Sequence, residues 1–396
     1  MIKLDQEQKT EPRITLLELA KVFLRLGATA FGGPAAHIAM MRSEFVERRK
    51  WIEEDAFLDL IGACNLLPGP SSTEVGIFIG LRVAGWRGLV VAGVCFILPA
   101  MLIVSALAWC YVRFGQLPET AGLLYGIKPV IIAVIAQAVY NLARTALKSA
   151  APVVVMLAAL LFSFVGLPPL ALLFVSGAAL CARQILSKNR LKPNLSDRRV
   201  LTSILLIFAV PFLLSQFGHF APRSLRISSL FFVFLKMGTT VFGSGYVLLA
   251  FLKTELVSHL HWITNAKLLD AVAVGQFTPG PVFTTATFIG YLLKGPVGAV
   301  VATSGIFLPA FLFVAAAGNL VRQIRSSEMA GAFLDGVNAA AIALMTFAGY
   351  QLAVSALVDL YTVLIMLASA AVLLKYRINS SWLVLAGGAA GLFHRH

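Results

Sequence analysis

Long apolar stretches alternate with short polar segments along most of the chain. The runs at residues 88–112 and, with its flanks, 129–142 are long enough at about 1.5 Å per residue to cross roughly 30 Å of hydrocarbon. This pattern predicts an all-α polytopic membrane protein. A set of buried helices in a soluble core is the alternative interpretation.

Two helix breaks interrupt the apolar pattern. The tripeptide Pro-Gly-Pro occurs at Pro68-Gly69-Pro70 and again at Pro279-Gly280-Pro281, each time inside an apolar stretch. Proline cannot donate the helical hydrogen bond and its ring clashes with the preceding turn, while glycine adds conformational freedom. Unpaired backbone at membrane depth is tolerated only where it is buried in protein or lines a wet cavity. The matched breaks therefore predict a binding site built from discontinuous helices.

An internal duplication explains why the breaks are matched. Phe31-Gly32-Gly33 aligns with Phe242-Gly243-Ser244, and the same register superimposes the two Pro-Gly-Pro motifs. The register also pairs Arg25 with Lys236, Glu44 with Glu255, Trp51 with Trp262 and Asn65 with Gln276, and after a one-residue gap Gly80 with Gly290, Leu98-Pro99-Ala100 with Leu308-Pro309-Ala310 and Gly126 with Gly336. Because chance similarity would not keep register through loops, the chain is predicted to consist of two homologous halves.

Three parts are expected: a first repeat at 1–184, a basic loop plus an extra linker span at 185–225, and a second repeat at 226–396. The extra span, residues 200–217, would invert the second half if each half crosses the membrane an even number of times. Loop 42–55 carries more basic residues than its counterpart 253–267, which favours an inverted repeat over a parallel one. The basic loop at 183–199 is expected in the cytoplasm, and no cleavable signal peptide is expected before the first repeat.

Composition narrows the class of function. Of the 396 residues 59% are hydrophobic and 13% charged, with a mean hydropathy of +0.87, against roughly 25% charged residues in soluble domains. The net charge of +14 falls in short segments between apolar runs, which indicates topology rather than nucleic-acid binding. The four cysteines lack CxxC or CxxH spacing, and no Walker A pattern is present. We therefore expect no metal, no cofactor and no ATP-driven pump, and energy from an ion gradient or the membrane potential.

Hydroxyl residues follow both breaks at the start of a helix. The first turn of a helix presents N–H groups without intrahelical partners and a partial positive charge, which favours an anion. Ordinary capping by Ser and Thr is the alternative at either break alone. The pattern predicts a secondary transporter for a small oxyanion, with a binding site formed by Arg25, Gly32, Gly33, Asn65, Pro68, Gly69, Pro70, Ser71, Ser72, Thr73, Lys236, Gly243, Ser244, Gln276, Pro279, Gly280, Pro281, Thr284 and Thr285.

Charged residues near the breaks have distinct predicted roles. Arg25 and Lys236 occupy matched positions and are the best candidates for countercharge to the anion, with snorkelling to the interface as the alternative. Arg82 and Lys128 are secondary candidates. The face shared by Arg25 with Glu18 and Lys21 belongs to an amphipathic helix that either lies on the membrane surface or lines a cavity.

Glu74 and His37 are candidates for proton coupling. A carboxylate at the start of a helix is favoured by the dipole but repels an anionic substrate, and a desolvated carboxylate binds a proton more readily. An ordinary cap, or an ion pair with Arg82, is the alternative for Glu74. A histidine can titrate near neutral pH, although a structural role is the alternative for His37.

Three segments carry a family resemblance: residues 31–38 (FGGPAAHI), 67–74 (LPGPSSTE) and 276–281 (QFTPGP). They resemble the signature motifs of the chromate ion transporter (CHR) family, and the resemblance to its long two-domain members covers essentially the whole chain. It implies a multi-pass protein of the cytoplasmic membrane that exports chromate and confers resistance, with sulfate as the related anion and oppositely oriented halves. The second half departs from the motif at Gly243-Ser244-Gly245 and lacks counterparts of His37 and Glu74, so coupling is expected in the first half.

Other classes of function stay open at this stage. A passive anion channel would use similar helix breaks, as would a membrane-embedded enzyme acting on a lipid headgroup or isoprenoid phosphate. An enzyme is disfavoured because no clustered His, Asp or Cys set could serve as nucleophile and base. The expected partners are a small inorganic oxyanion and the lipid bilayer, with a homodimer as an assembly that the residues leave undecided.

Overall fold

The structure, a computed structural model, describes residues 14–31, 33–64, 67–115, 117–187, 225–242, 247–325, 328–376 and 380–394. The first half contains α1 (Leu16–Thr29), α2 (Gly33–Arg42, continued by the π-helical turn Ser43–Arg48), α3 (Glu54–Cys64), α4 (Ser71–Phe114), α5 (Pro118–Ala146), α6 (Ala150–Phe164) and α7 (Pro169–Ser187). The second half contains α8 (Ile227–Thr240), α9 (Leu248–Leu252, continued by Lys253–His259), α10 (Asn265–Phe277), α11 (Thr285–Arg325, after the 3₁₀ turn Val282–Thr284), α12 (Glu328–Ala356), α13 (Leu360–Lys375) and α14 (Ser380–His394). Each helix of the first half has a counterpart in the second, in the same order.

Among the described residues, five helical segments are long and apolar enough to cross a membrane: Ser71–Phe114, Glu119–Ala146, Pro169–Ser187, Val282–Ala316 and Met329–Ala356. Four shorter apolar helices accompany them, namely α6, α8, α13 and α14. The prediction of an all-α polytopic membrane protein made of two related halves is confirmed.

The two longest helices are hairpins rather than straight rods. Within α4 the backbone leaves helical geometry at Ala84 and at Gly85, whose φ is +63°, and α11 does the same at Lys294 and Gly295 with the same φ. Glycine is required at that position because L side chains rarely adopt positive φ. Gly80 and Gly88 then touch across the turn, so the arms at 71–83 and 86–114 pack side by side.

The first helix of each half packs on the second arm of its hairpin. Thr15 caps α1 by accepting the N–H of Glu18 at 3.2 Å, and the apolar face of α1 is buried. Gly27 of α1 lies directly on the backbone carbonyl of Phe96 in α4. The charged face with Lys21 and Arg25 is exposed at the protein surface rather than enclosed.

The two halves interlock and run in opposite senses. Gly122 of α5 approaches Gly391 of α14 while Gly126 approaches Gly387, so α5 and α14 are antiparallel. Helix α13 runs parallel to α5, because Tyr361 stacks on Tyr125 and the carbonyl oxygen of Leu373 accepts from Gln137. Gly349 of α12 lies against Ile135, and α12 ends just before α13 begins near Tyr125, so α12 runs antiparallel to α5. Because α12 is the counterpart of α5, the halves are inverted. Gly336 of α12 approaches Gly177 of α7 in the equivalent contact. Each half therefore packs its fifth helix against the last helix of the other half.

The basic loop beyond Ser187 and the predicted linker span at 200–217 lie outside the described residues. The inversion of the two halves therefore rests on the helix packing above rather than on the linker.

Candidate functional site

The helix breaks of both halves meet at the interface between them. We call Pro68-Gly69-Pro70 the first tip and Pro279-Gly280-Pro281 the second tip. The N–H of Gly69 donates to the carbonyl oxygen of Val241 at 2.7 Å, and the N–H of Gly280 donates to that of Ala30 at 2.8 Å. Val241 is the counterpart of Ala30, so the same bond is made in both directions. Each tip is thereby held at the end of the first helix of the opposite half, and the N–H groups of both tip glycines are engaged.

Both tips require glycine and are buried in protein. The φ angles are +143° at Gly69 and +91° at Gly280, in the region that L side chains avoid. A Cβ atom on Gly280 would lie 2.7 Å from the Cβ of Ala100 and 3.0 Å from the carbonyl oxygen of Gly27. The second tip therefore packs on the Leu-Pro-Ala segment of α4, and irregular backbone is shielded from lipid as the membrane setting demands.

The first turn after each tip contains an N–H group without a hydrogen bond to any described residue. The third residue after the tip, Thr73 or Thr284, donates its N–H back to the last proline at 2.8 and 3.0 Å. The preceding N–H groups, at the matched positions Ser72 and Phe283, make no hydrogen bond with any described residue. These groups carry the partial positive charge of a helix N-terminus, so each half presents a donor suited to an anion at this matched position.

The hydroxyl groups beside these donors do not cap them. The Oγ of Ser72 lies 3.2 Å from Nδ1 of His37. Thr284 and Thr285 donate to carbonyl oxygens three residues back, each at 2.8 Å. The Oγ1 of Thr73 is buried and has no hydrogen-bond partner among the described residues. Thr73 is therefore a free hydroxyl at the start of the helix that follows the first tip.

Glu74 is buried without a partner. Its side chain is fully inaccessible, and neither carboxyl oxygen has a hydrogen-bond partner within the described part of the chain. The carboxyl group fills the space beside Gly69, where a Cβ atom would collide with it. It makes no ion pair with Arg82, which is exposed. The alternative of an Arg82 ion pair is therefore wrong.

His37 ties three elements together. Its Nε2 lies 3.1 Å from the carbonyl oxygen of Ala30, which can only accept, so this nitrogen carries the proton. Nδ1 then accepts from Ser72 in the neutral ring. Burial lowers the pKa of His37 to about 4, against the opposing effect of the bond to Ala30. The ring is neutral near pH 7 and positions Ser72.

The two predicted countercharges are already paired. Arg25 bonds to Glu44 at 2.6 Å, and Lys236 bonds to Glu255 at 2.9 Å. Both partners are matched by the duplication, so the ion pair is a conserved feature of the two halves of this chain. Their role as countercharge for an anion stays a prediction, and it would require the anion to compete with these carboxylates.

Glu44 is the centre of a larger charge cluster. It accepts hydrogen bonds from Arg48 and Arg49, each at 2.6 Å, in addition to Arg25, and Arg49 also reaches Glu18. Burial raises the pKa of Glu44, but the bonds from Arg49, Arg48 and Arg25 outweigh it and hold the pKa below its usual value. This cluster joins α1 to the turn after α2.

A buried charged group that sequence reasoning missed lies between the halves. Asp270 of α10 accepts a hydrogen bond from the hydroxyl of Tyr111 at 2.8 Å and lies 3.3 Å from the Nζ of Lys128. Its side chain is 4% exposed. The signal was available in the apolar segment 268–274 (LLDAVAV), because a single acid in such a run is costly unless paired.

A small cavity lies beside α10 in the second half. Its volume of about 20 Å³ is enough for one water molecule. The wall is apolar on the α5 side. On the other side it includes the counterparts of three predicted site residues, Leu248 for His37, Gln276 for Asn65 and Thr285 for Glu74.

Four predicted site residues, Gly32, Asn65, Gly243 and Ser244, lie outside the described residues. Gly33 begins α2 with φ of +78°, and Pro68 forms an antiparallel bridge with Phe242. Gln276 lies in the last turn of α10, just before the second tip. The other predicted residues lie at the two tips or in the turns that follow them, with Arg25 and Lys236 on the adjoining first helices. Their assignment to substrate binding stays a prediction.

Comparison with known proteins agrees with this architecture. The family model for chromate transporters matches residues 17–181 and 228–392. The chain belongs to the chromate transporter family. The two matched segments of this family member coincide with helices α1–α7 and α8–α14, and they confirm the family resemblance read from the motifs.

Relatives of this chromate transporter family member are similar over most of their length. The chromate transport protein of Cupriavidus metallidurans is 33% identical over 96% of this chain and 93% of its own. The probable chromate transport protein of Synechococcus elongatus is 31% identical over 89% and 88%, and the chromate transport protein of Pseudomonas aeruginosa is 29% identical over 84% and 80%. No solved structure matches the chain.

Proposed function

We propose that the protein is a secondary transporter that exports chromate across the cytoplasmic membrane and thereby confers chromate resistance. The observation that carries the proposal is the meeting of two helix breaks at the interface of inverted halves, with the N–H groups of Ser72 and Phe283 unbonded to any described residue at matched positions. The identity of the anion is drawn from the relatives, which are named for chromate transport.

The chemistry of the breaks suits a tetrahedral dianion. An ion taken from water must regain hydrogen bonds, since its desolvation costs several kcal/mol. The two N–H groups, the free hydroxyl of Thr73 and the positive ends of two helices would supply them from both halves. Donors of this kind respond to charge and shape, so we propose sulfate as a weaker competing substrate.

The inverted halves supply the means of alternating access. We propose that the repeats at 1–184 and 226–396 each contribute one tip, and that the part at 185–225 joins them across the membrane. Rocking of one half against the other would open the tips to each side in turn, as in other transporters with inverted repeats. The driving energy would be the membrane potential or an ion gradient, and a homodimer is the assembly we propose to test by mass measurement in detergent.

Uptake of radiolabelled chromate into inverted membrane vesicles tests the function. Vesicles containing the protein should accumulate chromate above vesicles that lack it, and should do so more than right-side-out vesicles under the same membrane potential. Sulfate added in excess should reduce the rate more than phosphate does. Uptake equal to that of vesicles without the protein would reject the proposal.

A passive channel is separated by electrical measurement in liposomes. A coupled transporter gives a reversal potential that departs from the chromate equilibrium potential when the gradient of the coupling ion is changed. A reversal potential that follows chromate alone would identify a channel instead.

A further inference from the structure

Two buried acidic side chains lie near the interface of the halves, and they differ in their partners. Asp270 is bonded to Tyr111 and lies beside Lys128. Glu74 is fully buried, with neither carboxyl oxygen bonded to a described residue. An ionised carboxylate buried without a hydrogen bond or a cation is strongly disfavoured, so the neutral acid is the form compatible with this environment.

Glu74 stands in the same helical turn as the unused donor at Ser72. The Glu74 carboxyl group lies against Gly69 of the first tip, at the end of the helix where the N–H of Ser72 is unbonded. An anion bound at that N–H group would therefore lie close to the Glu74 carboxyl group. In a site shielded from water, two negative charges that close repel strongly. The neutral form of Glu74 is therefore the form compatible with a bound dianion.

We propose that Glu74 is a proton-binding site, and that the transporter carries one proton on this carboxyl group with each oxyanion. The inference rests on the proposed oxyanion transport. The carboxylate takes up a proton from water when the site is open and the anion binds, and it returns the proton to water as the anion leaves on the other side. The net charge moved per dianion falls from two to one.

Few titratable groups surround Glu74 in the described structure. Cys64 of α3 is close enough to interact with it electrostatically, and His37 of α2 contacts Ser72, two residues before Glu74. From α11 the apolar Ala310 lies beside the first tip. No described basic side chain pairs with Glu74. A bound proton is then the source of neutrality that remains.

The second half carries no acid at the position equivalent to Glu74, so the proposed proton site belongs to the first half. Thr285 occupies the position of Glu74 and donates to the carbonyl oxygen of Val282 at 2.8 Å. A hydroxyl with that bond is neutral at all physiological pH values. One proton per transport cycle, rather than two, is the stoichiometry that this arrangement supports.

Proteoliposomes with a pH-sensitive dye in the lumen test the proposal. Chromate entry is driven by its own gradient, with the voltage clamped by potassium and valinomycin, at pH values where chromate is fully dianionic. The wild-type protein should acidify the lumen by about one proton per chromate, and its rate should fall by up to about tenfold per pH unit on the alkaline side. In Glu74→Gln the proton-to-chromate ratio should fall to near zero and the pH profile should become flat.

Glu119→Gln is the matched control, because Glu119 is exposed at the start of α5. It should keep the wild-type ratio and pH profile. Wild-type protein that moves chromate without protons overturns the proposal even if Glu74→Gln fails to fold, and so does a Glu74→Gln protein with the wild-type profile. Wild-type protein that moves no chromate at all would instead reject the proposed function.

Discussion

The two halves share one break geometry, but the helices that precede their tips, α3 and α10, are packed differently. In the second half α10 is buried: Leu269 is fully inaccessible, and Asp270 lies beside Lys128 of the other half. In the first half the aligned residues are open, with Leu58 48% exposed and Asp59 exposed. Helix α10 is therefore docked on the opposite half to a degree that helix α3 is not.

The residues that dock α10 have no equivalent on the other side. The position aligned with Lys128 is Asn338, which carries no charge. The reciprocal bonds at the tips, in contrast, use only backbone groups and glycine, which both halves retain. Duplication thus preserved the part that depends on backbone geometry and let the side chains around it diverge.

The largest effect is expected at helix α10, where Asp270 lies beside Lys128. Lys128→Met leaves the Asp270 carboxylate buried with only the Tyr111 hydroxyl, and breaking a buried pair in this way costs about 3–5 kcal/mol. Thermal unfolding in detergent should show a large drop in the midpoint. Asp270→Asn should cost less, because Tyr111 can still donate to the amide oxygen and the partly exposed Lys128 can reach water.

Two controls sharpen this prediction. The double variant Lys128→Met with Asp270→Asn should recover much of the lost stability, since no unpaired charge remains. Asp59→Asn in the first half should change stability by less than about 1 kcal/mol, as is usual for an exposed charge. Equal losses of stability for Lys128→Met and Asp59→Asn would mean that helices α10 and α3 are not docked differently.

The next effect separates the two tips. Gly280→Ala places a Cβ against the backbone of Gly27 and the rigid Ala100 at a positive φ, so strain and overpacking together should cost about 2–4 kcal/mol. Gly69→Ala meets the end of the Glu74 side chain, which can move, and should cost about 1–3 kcal/mol. Unfolding midpoints measured side by side decide the order, and a larger loss for Gly69→Ala would contradict it.

The fold could be predicted from the sequence because the patterns that indicate it are periodic or repeated along the chain. Apolar runs predicted the spans, and the register through Phe31 and Phe242 predicted two equivalent halves. The turn at Gly85 was not predicted, because a single glycine within an apolar run does not distinguish a straight span from a hairpin. The packing of α5 and α12 against the opposite half could not be predicted either. It depends on close glycine contacts, such as Gly126 with Gly387, that no local sequence pattern encodes.

The candidate site was reached in part. The tips were located by Pro-Gly-Pro, but the use of the Gly69 and Gly280 N–H groups in bonds between the halves depends on tertiary pairing. Arg25 was singled out by charge and position, whereas its pairing with Glu44 depends on how α2 folds back. The available signal was that the duplication retains both an acid, at Glu44 and Glu255, and a base, at Arg25 and Lys236. That pattern indicates an ion pair as readily as an anion site.

A smaller effect is expected at the charge cluster around Glu44. Because bonds from its arginines hold the folded-state pKa below the usual carboxyl value, the stabilisation is present above that value and is lost as the pH falls through the folded-state pKa. Glu44→Gln should cost about 1–2 kcal/mol at pH 7, given that the arginines are partly exposed, and should show a weaker loss of stability in acid. Glu255→Gln in the second half, with Lys236 as its close partner, should cost about 0–1 kcal/mol. Unfolding followed at several pH values checks both, and an unchanged acid profile in Glu44→Gln would contradict the assignment.

The smallest effects are expected at the matched threonines after the tips, and they should have opposite signs. Thr284→Val removes a bond to a carbonyl oxygen and should lower stability by about 1 kcal/mol. Thr73→Val removes a buried hydroxyl that has no described partner, so stability should stay level or rise by up to about 1 kcal/mol. If that hydroxyl is kept for the anion, the same variant should transport chromate several-fold more slowly. A Thr73→Val protein that is no less stable and transports at the wild-type rate would remove Thr73 from the binding site, whereas a slower protein of equal stability would show that the first half holds a group for its substrate rather than for its fold.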